Sequence, residues 1–136
     1  MNKNWLNPPM NNPARGMDVV RITVALMLAV HGIHGVLIPK NVNGLGGYLD
    51  SIGFPFGVAL AWAVMIIQIT CSAALIFRRL IVPACVGHIV ILGVGIGLFH
   101  AAAGWFVVGP GQGGVEYSLT LIACLFAVLL AYWPGK

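Results

Sequence analysis

Apolar residues in this chain run in long unbroken blocks instead of alternating with polar ones. Four blocks stand out. They cover about 19–38, closed by Pro39; about 55–77, ending at Arg78-Arg79; about 80–103; and about 115–133, before Pro134-Gly135. Each holds about 20 residues, the number a helix needs to cross roughly 30 Å of hydrocarbon. Lipid offers backbone groups no hydrogen-bond partner, so such blocks predict helices. The expected fold is all-α, an integral membrane bundle of four transmembrane helices.

The segments between the blocks sharpen this picture. Residues 1–16 (MNKNWLNPPMNNPARG) are rich in Asn and Pro and lack the apolar core of a signal peptide. They read as an aqueous tail pinned by Trp5 and Leu6. The resulting division is a polar tail at 1–17, a membrane domain at 18–133 and a short polar end at 134–136. Residues 39–54 place Leu45, Tyr48, Leu49 and Ile52 at helical spacing, which predicts a short interfacial helix. Residues 104–114 carry five glycines, with Trp105 and Phe106 expected at headgroup level.

Composition excludes the alternatives. Of 136 residues, 60% are hydrophobic and only 7% charged, against about 25% charged in a soluble domain. A chain this short cannot bury that much apolar surface by itself, so neither a soluble monomer nor a disordered chain fits. The net charge of +4 is dispersed, unlike the clustered basic face of a nucleic-acid binder. With four spans, Lys3, Arg15, Arg21, Arg78, Arg79 and Lys136 share one side and only Lys40 lies on the other. The positive-inside rule then predicts that both termini are cytoplasmic. Cys71, Cys85 and Cys124 form no CxxC and read as small buried hydrophobes.

Against this apolar background a few polar groups fall at membrane depth: His31, His34, Gln68, His88, His100 and Glu116. Such groups are costly in lipid and usually face the bundle interior. Helical rise sets Gln68, His88 and His31 near mid-membrane and His34, His100 and Glu116 in the outer half. His31 and His34, three apart, share a face. Gly93 and Gly97 form a GxxxG pair that marks a packing face, with His100 one turn further on. Imidazoles and a carboxylate in the outer half suit a quinone carbonyl or the relay of its protons. The set His34, His100 and Glu116 also suits a transition metal. A haem between His31 and His88 is a further option, and plain interhelical hydrogen bonding is the alternative to all of these.

Several short elements, in order, resemble the DoxX family of small membrane proteins. They are Arg21 followed by His31-Gly32; Gly46-Gly47-Tyr48-Leu49 through Ser51-Ile52-Gly53-Phe54-Pro55; Arg78-Arg79; and Gly104-Trp105-Phe106 leading through Gly113-Gly114 to Glu116-Tyr117. The resemblance covers about residues 18–133. It implies a four-helix bundle in a bacterial or archaeal cytoplasmic membrane. Some relatives are subunits of thiosulfate:quinone oxidoreductases and others belong to oxidative-stress complexes, so the family alone does not fix a function. By resemblance, His100 matches a His before the family's G-F-F element, and Glu116 with Tyr117 matches its E-Y. The chain departs from the family where Gln68 replaces an acid and where His34-Gly35 stands near a usual Lys.

Two functions follow as expectations. One is a redox-linked subunit that binds a quinone in its outer half. His34, His100 and Glu116 would contact the ligand, Trp105 and Tyr117 would form walls, and a partner would supply electrons. The other is a non-catalytic subunit that anchors a larger membrane complex, through other subunits or self-association. A transporter or metal-handling role is a third, weakened by the small number of spans. Lipid is an expected partner and nucleic acid is not.

Overall fold

The computed structural model describes residues 12–109 and 113–134. Among them there is no strand, and five helices follow one another: α1 (Pro13–Leu37), α2 (Pro39–Ser51), α3 (Gly57–Ile76), α4 (Ile81–Ala103) and α5 (Glu116–Ala131). Three helices, α1, α3 and α4, are long and apolar enough to cross a membrane, and α5 is an apolar helix of 16 residues. The tail residues Trp5 and Leu6 lie outside the described residues. Helix α1 begins at Pro13, within the segment expected to be tail and ahead of the apolar block, because proline is preorganised for a first helical position.

The four long helices close into a ring. α1 packs on α3, α3 on α4, α4 on α5, and α5 back on α1. The main core joins Val24, Ala25 and Leu28 of α1 to Leu75, Ala84, Cys85, Leu121, Leu125 and Val128. Outside this core the helices stay apolar: Leu26, Val30, Ile66, Val90, Phe126 and Leu130 are all exposed. A helix that is apolar all round belongs in lipid. The chain is thus a multi-pass membrane protein whose outer faces contact lipid.

The expected interfacial helix exists as α2, but it is packed on the bundle. Pro39 lacks an N–H and bars residue 38 from helical geometry, so α1 stops and the chain turns. Val42, Gly46 and Leu49 of α2 are buried against α1 and α3. The crossing is close at Gly46 and Gly57: a side chain on Gly57 would collide with the Gly46 carbonyl. At its C-terminus the N–H of Phe54 donates to the Leu49 carbonyl (3.0 Å) and that of Gly53 to Asp50 (3.1 Å), with Gly53 at φ +93°. This is the Schellman pattern, and the left-handed residue it needs explains Gly53. Asp50 then accepts the N–H of Gly57 at 2.8 Å and so caps α3.

Close helix approach uses different glycines from those expected. Gly93 and Gly97 are exposed, with open space where a side chain would stand. The near contacts are at Gly32 and Gly35 of α1, which are buried against α3; a side chain on Gly35 would strike the sulfur of Met65. The His31-Gly32-Ile33-His34-Gly35 run therefore does two things. Its glycines form the seam with α3, and its histidines flank that seam.

Candidate functional site

The end of the bundle that holds the α3–α4 turn is tied by a polar clasp. Arg21, 3% exposed, donates from Nη1 to the carbonyls of Leu75 and Ile76, the last residues of α3. Its Nη2 bonds Asp18 at 3.0 Å, and the Tyr132 hydroxyl donates to the same carboxylate oxygen at 2.8 Å. Arg78 lies over the Tyr132 ring, 5.6 Å from its centroid. A cation at a helix C-terminus satisfies carbonyls that the helix leaves over. One guanidinium thus joins α1, α3 and, through Asp18, the end of α5. Sequence reasoning counted Arg21 among the charges that set the orientation of the spans. Only the fold brings residues 18, 21, 75 and 132 together.

In the bundle interior, His88 is fully buried and its Nε2 meets the Ser72 hydroxyl at 3.2 Å. Gln68 is buried one turn from Ser72. Two atoms of this group, Gln68 Oε1 and His88 Nδ1, have no hydrogen-bond partner among the described residues. His31 lines a separate cavity that His88 does not reach, so the structure does not pair these two histidines around a common ligand space.

That separate cavity is the candidate site. It is a cleft of about 170 Å³ between α1, α2 and α3, lined by His31, His34, Gly35, Asn41, Val42, Leu45 and Met65. The seam glycines and Met65 fix its floor, and α2 supplies Asn41, Val42 and Leu45. The arrangement sets two imidazoles and a carboxamide against an apolar floor. It can donate to and accept from the ends of a small ring compound. Asn41, Val42 and Met65 escaped the sequence reading, and Leu45 entered it only with Tyr48, Leu49 and Ile52 as part of an interfacial helix. The available signal was that Val42 continues the spacing of Leu45 and Leu49.

The other candidates form a second unit. Segments 104–107 and 113–116 run back along each other, with Val115 donating to Gly104 (3.0 Å), Glu116 to Trp105 (3.1 Å) and Gly114 to Phe106 (2.9 Å). Gly114 is wedged against the Trp105 and Phe106 backbone, where any side chain would collide. Glu116 accepts the N–H of Val107 through Oε1 at 2.9 Å, and His100 Nδ1 meets the Gly113 carbonyl at 2.6 Å. Both groups bind the loop together. Trp105 and Tyr117 are exposed and line no part of the cleft. Among the described residues, no three His, Cys, Asp or Glu side chains converge to hold a metal ion; His34, His100 and Glu116 are not gathered in that way.

His100 ends a π-helical turn, Ile96–His100, inside α4. The Tyr48 hydroxyl reaches from α2 to the Leu98 carbonyl in that turn (3.0 Å), and its ring packs on Phe99 with centroids 4.8 Å apart. π-turns often sit at functional sites. Here the turn carries the side chain that links the loop to the bundle.

No curated protein and no solved structure matches the chain. A family model does match, over residues 16–101, from the start of α1 to the end of the π-helical turn in α4. The match takes in Asp18 and Arg21 of the clasp, the His31-Gly32 seam, α2 and the buried His88, and stops short of segments 104–107 and 113–116 and of Tyr132. With that match over most of its length, the chain belongs to the DoxX family.

Proposed function

We propose that this DoxX-family membrane protein binds a quinone, or a compound with similarly placed carbonyls, in the cleft beside His31 and His34. The observation that carries the reading is the pairing of two imidazoles with an apolar floor in one small cavity. An apolar cavity of about 150 Å³ accepts a benzene ring, so about 170 Å³ suits a single quinone ring whose tail runs into lipid. A neutral imidazole carries one N–H donor and one acceptor nitrogen, so it can hydrogen-bond a quinone carbonyl or the hydroxyl of its reduced form. The ring needs an electron source, which the reading assigns to a partner subunit. Arg15, Arg21, Arg78 and Arg79 gather at one end of the bundle, away from Lys40. The reading sets that end and both termini on the cytoplasmic side of a bacterial inner membrane, with four spans and the cleft in the outer half.

The test is to purify the protein in mild detergent, extract and identify bound quinone, and titrate a short-chain quinone by fluorescence. His34→Leu and His31→Leu should each weaken binding about tenfold, the worth of one good hydrogen bond to a buried partner. Binding unchanged in both variants would end the proposal.

A second reading has its own support. The α4 face with Val86, Val90, Gly93, Val94 and Gly97 is exposed and meets no helix among the described residues. It is shaped for close approach by another transmembrane helix, as expected of a subunit that anchors a larger complex. Stable comigration with other subunits, lost on Gly93→Leu, supports this reading.

A further inference from the structure

The turn between α3 and α4 combines three features that call for the same ligand. The first is a free cation. Arg79 is exposed and, among the described residues, its side chain makes no hydrogen bond or ion pair, whereas its neighbour Arg78 is committed to the Tyr132 ring. The backbone holds Arg79 in place, because its N–H donates to the Ala74 carbonyl at 2.8 Å.

The second is a free helix N-terminus directly behind it. Leu80 offers α4 no side-chain cap, and Pro83 has no N–H to satisfy. The first backbone bond back into the turn is from Ala84 to Leu80 (3.0 Å). The N–H groups of Ile81 and Val82 therefore stand at the positive end of the helix without a partner among the described residues. An uncapped helix start beside an arginine is an anion site.

The third lies just beneath, toward the middle of the helices. It is an open groove of about 190 Å³ lined by Thr70, Cys71, Ala74, Leu80, Pro83 and Ala84. Thr70 spends its hydroxyl on the Ile66 carbonyl (2.9 Å), so its donor is already taken. A free phosphate has no use for such a groove, and a neutral lipid has no use for Arg79.

We propose that the α3–α4 turn is a binding site for an anionic phospholipid. Its phosphate lies against Arg79 and the start of α4, and one acyl chain lies along the groove between α3 and α4. The charge at the mouth selects the headgroup and the apolar walls hold the chain, so the site recognises the two parts of one molecule.

Native mass spectrometry of the full chain in mild detergent tests this. The protein is titrated in parallel with phosphatidylglycerol and with phosphatidylcholine of the same acyl chains. Wild type should retain phosphatidylglycerol in preference. Arg79→Gln should cut that retention about fivefold, the worth of one basic residue at a membrane surface. Arg79→Lys should keep most of it, and Arg15→Gln, at the same end but away from the groove, should leave it unchanged. Ala74→Phe, which fills the groove, should lower retention of both lipids. Equal retention of the two lipids by wild type would overturn the proposal. So would an Arg79→Gln variant that binds as wild type, or an equal loss in Arg15→Gln. If phosphatidylcholine and phosphatidylglycerol both bind Ala74→Phe normally, the acyl-chain half of the assignment is wrong.

Discussion

The two ends of the bundle treat their polar residues in opposite ways. At the arginine end, Arg21, Asp18, Tyr132 and the last carbonyls of α3 are joined to one another. At the histidine end, His31 and His34 line an open cleft, and among the described residues their side chains make no hydrogen bond. The loop next to that cleft uses His100 and Glu116 as ties. In a chain with so few polar groups, residue type does not separate scaffold from site. What separates them is whether the group is already bonded to its own chain. By that standard Arg21 and Glu116 are bonded within the chain, and the proposed ligand site rests on His31 and His34.

The strongest way to break this contrast is at Arg21. Arg21→Met leaves the Leu75 and Ile76 carbonyls without their side-chain donor, and should cost about 3 kcal/mol, the upper range for hydrogen bonds from a charged donor. Unfolding in detergent, followed by circular dichroism, measures it; a loss within about 0.5 kcal/mol would show that the clasp is ornamental. Next comes the loop. Gly114→Ala forces a methyl group onto the Trp105 and Phe106 backbone and should cost about 2 kcal/mol. The same unfolding assay reads it, and an unchanged midpoint would mean that the hairpin opens freely.

Glu116 gives the sharper comparison. Glu116→Ala should cost about 1 kcal/mol by orphaning the Val107 N–H, whereas Glu116→Gln keeps an acceptor and should lie within about 0.5 kcal/mol of wild type. Neither should change quinone affinity in the fluorescence titration. A loss of affinity in Glu116→Gln at full stability would move this residue from scaffold to site. The smallest effect on stability belongs to His34→Leu, within about 0.5 kcal/mol, because the side chain is exposed and makes no hydrogen bond among the described residues. A large destabilisation by that variant would show that His34 is a structural tie after all.

The all-helical fold and its membrane setting were legible because they rest on composition and on block length, which tertiary structure cannot override. The helix at residues 39–51 was legible from the spacing of Leu45, Tyr48 and Leu49, but its docking on α3 was not. That depends on Gly46 meeting Gly57, two small residues that carry no periodic signal. The same limit hid the seam. Gly93 and Gly97 have the familiar four-residue spacing and face outward, while Gly32 and Gly35, spaced by three, make the contact. Of the site, His31 and His34 were visible as costly groups on one helix face. Asn41 and Met65 were not, since an asparagine after a turn and a methionine in an apolar run look ordinary until the fold sets them around one cavity. Glu116 and His100 drew notice for their charge and titration, yet the bonds they make are to backbone groups that no side-chain pattern records.

The π-helical turn at Ile96–His100 amounts to one surplus residue stored within α4. Each residue of an α-helix advances about 100° around its axis. A π-turn takes up that extra position in a widened turn, so the helix on either side of it keeps its phase. Forcing the turn into regular α geometry with all its residues kept would swing everything downstream by that angle. His100 would then leave the Gly113 carbonyl that it meets. The aim of the loop is therefore set by how one turn accommodates one residue.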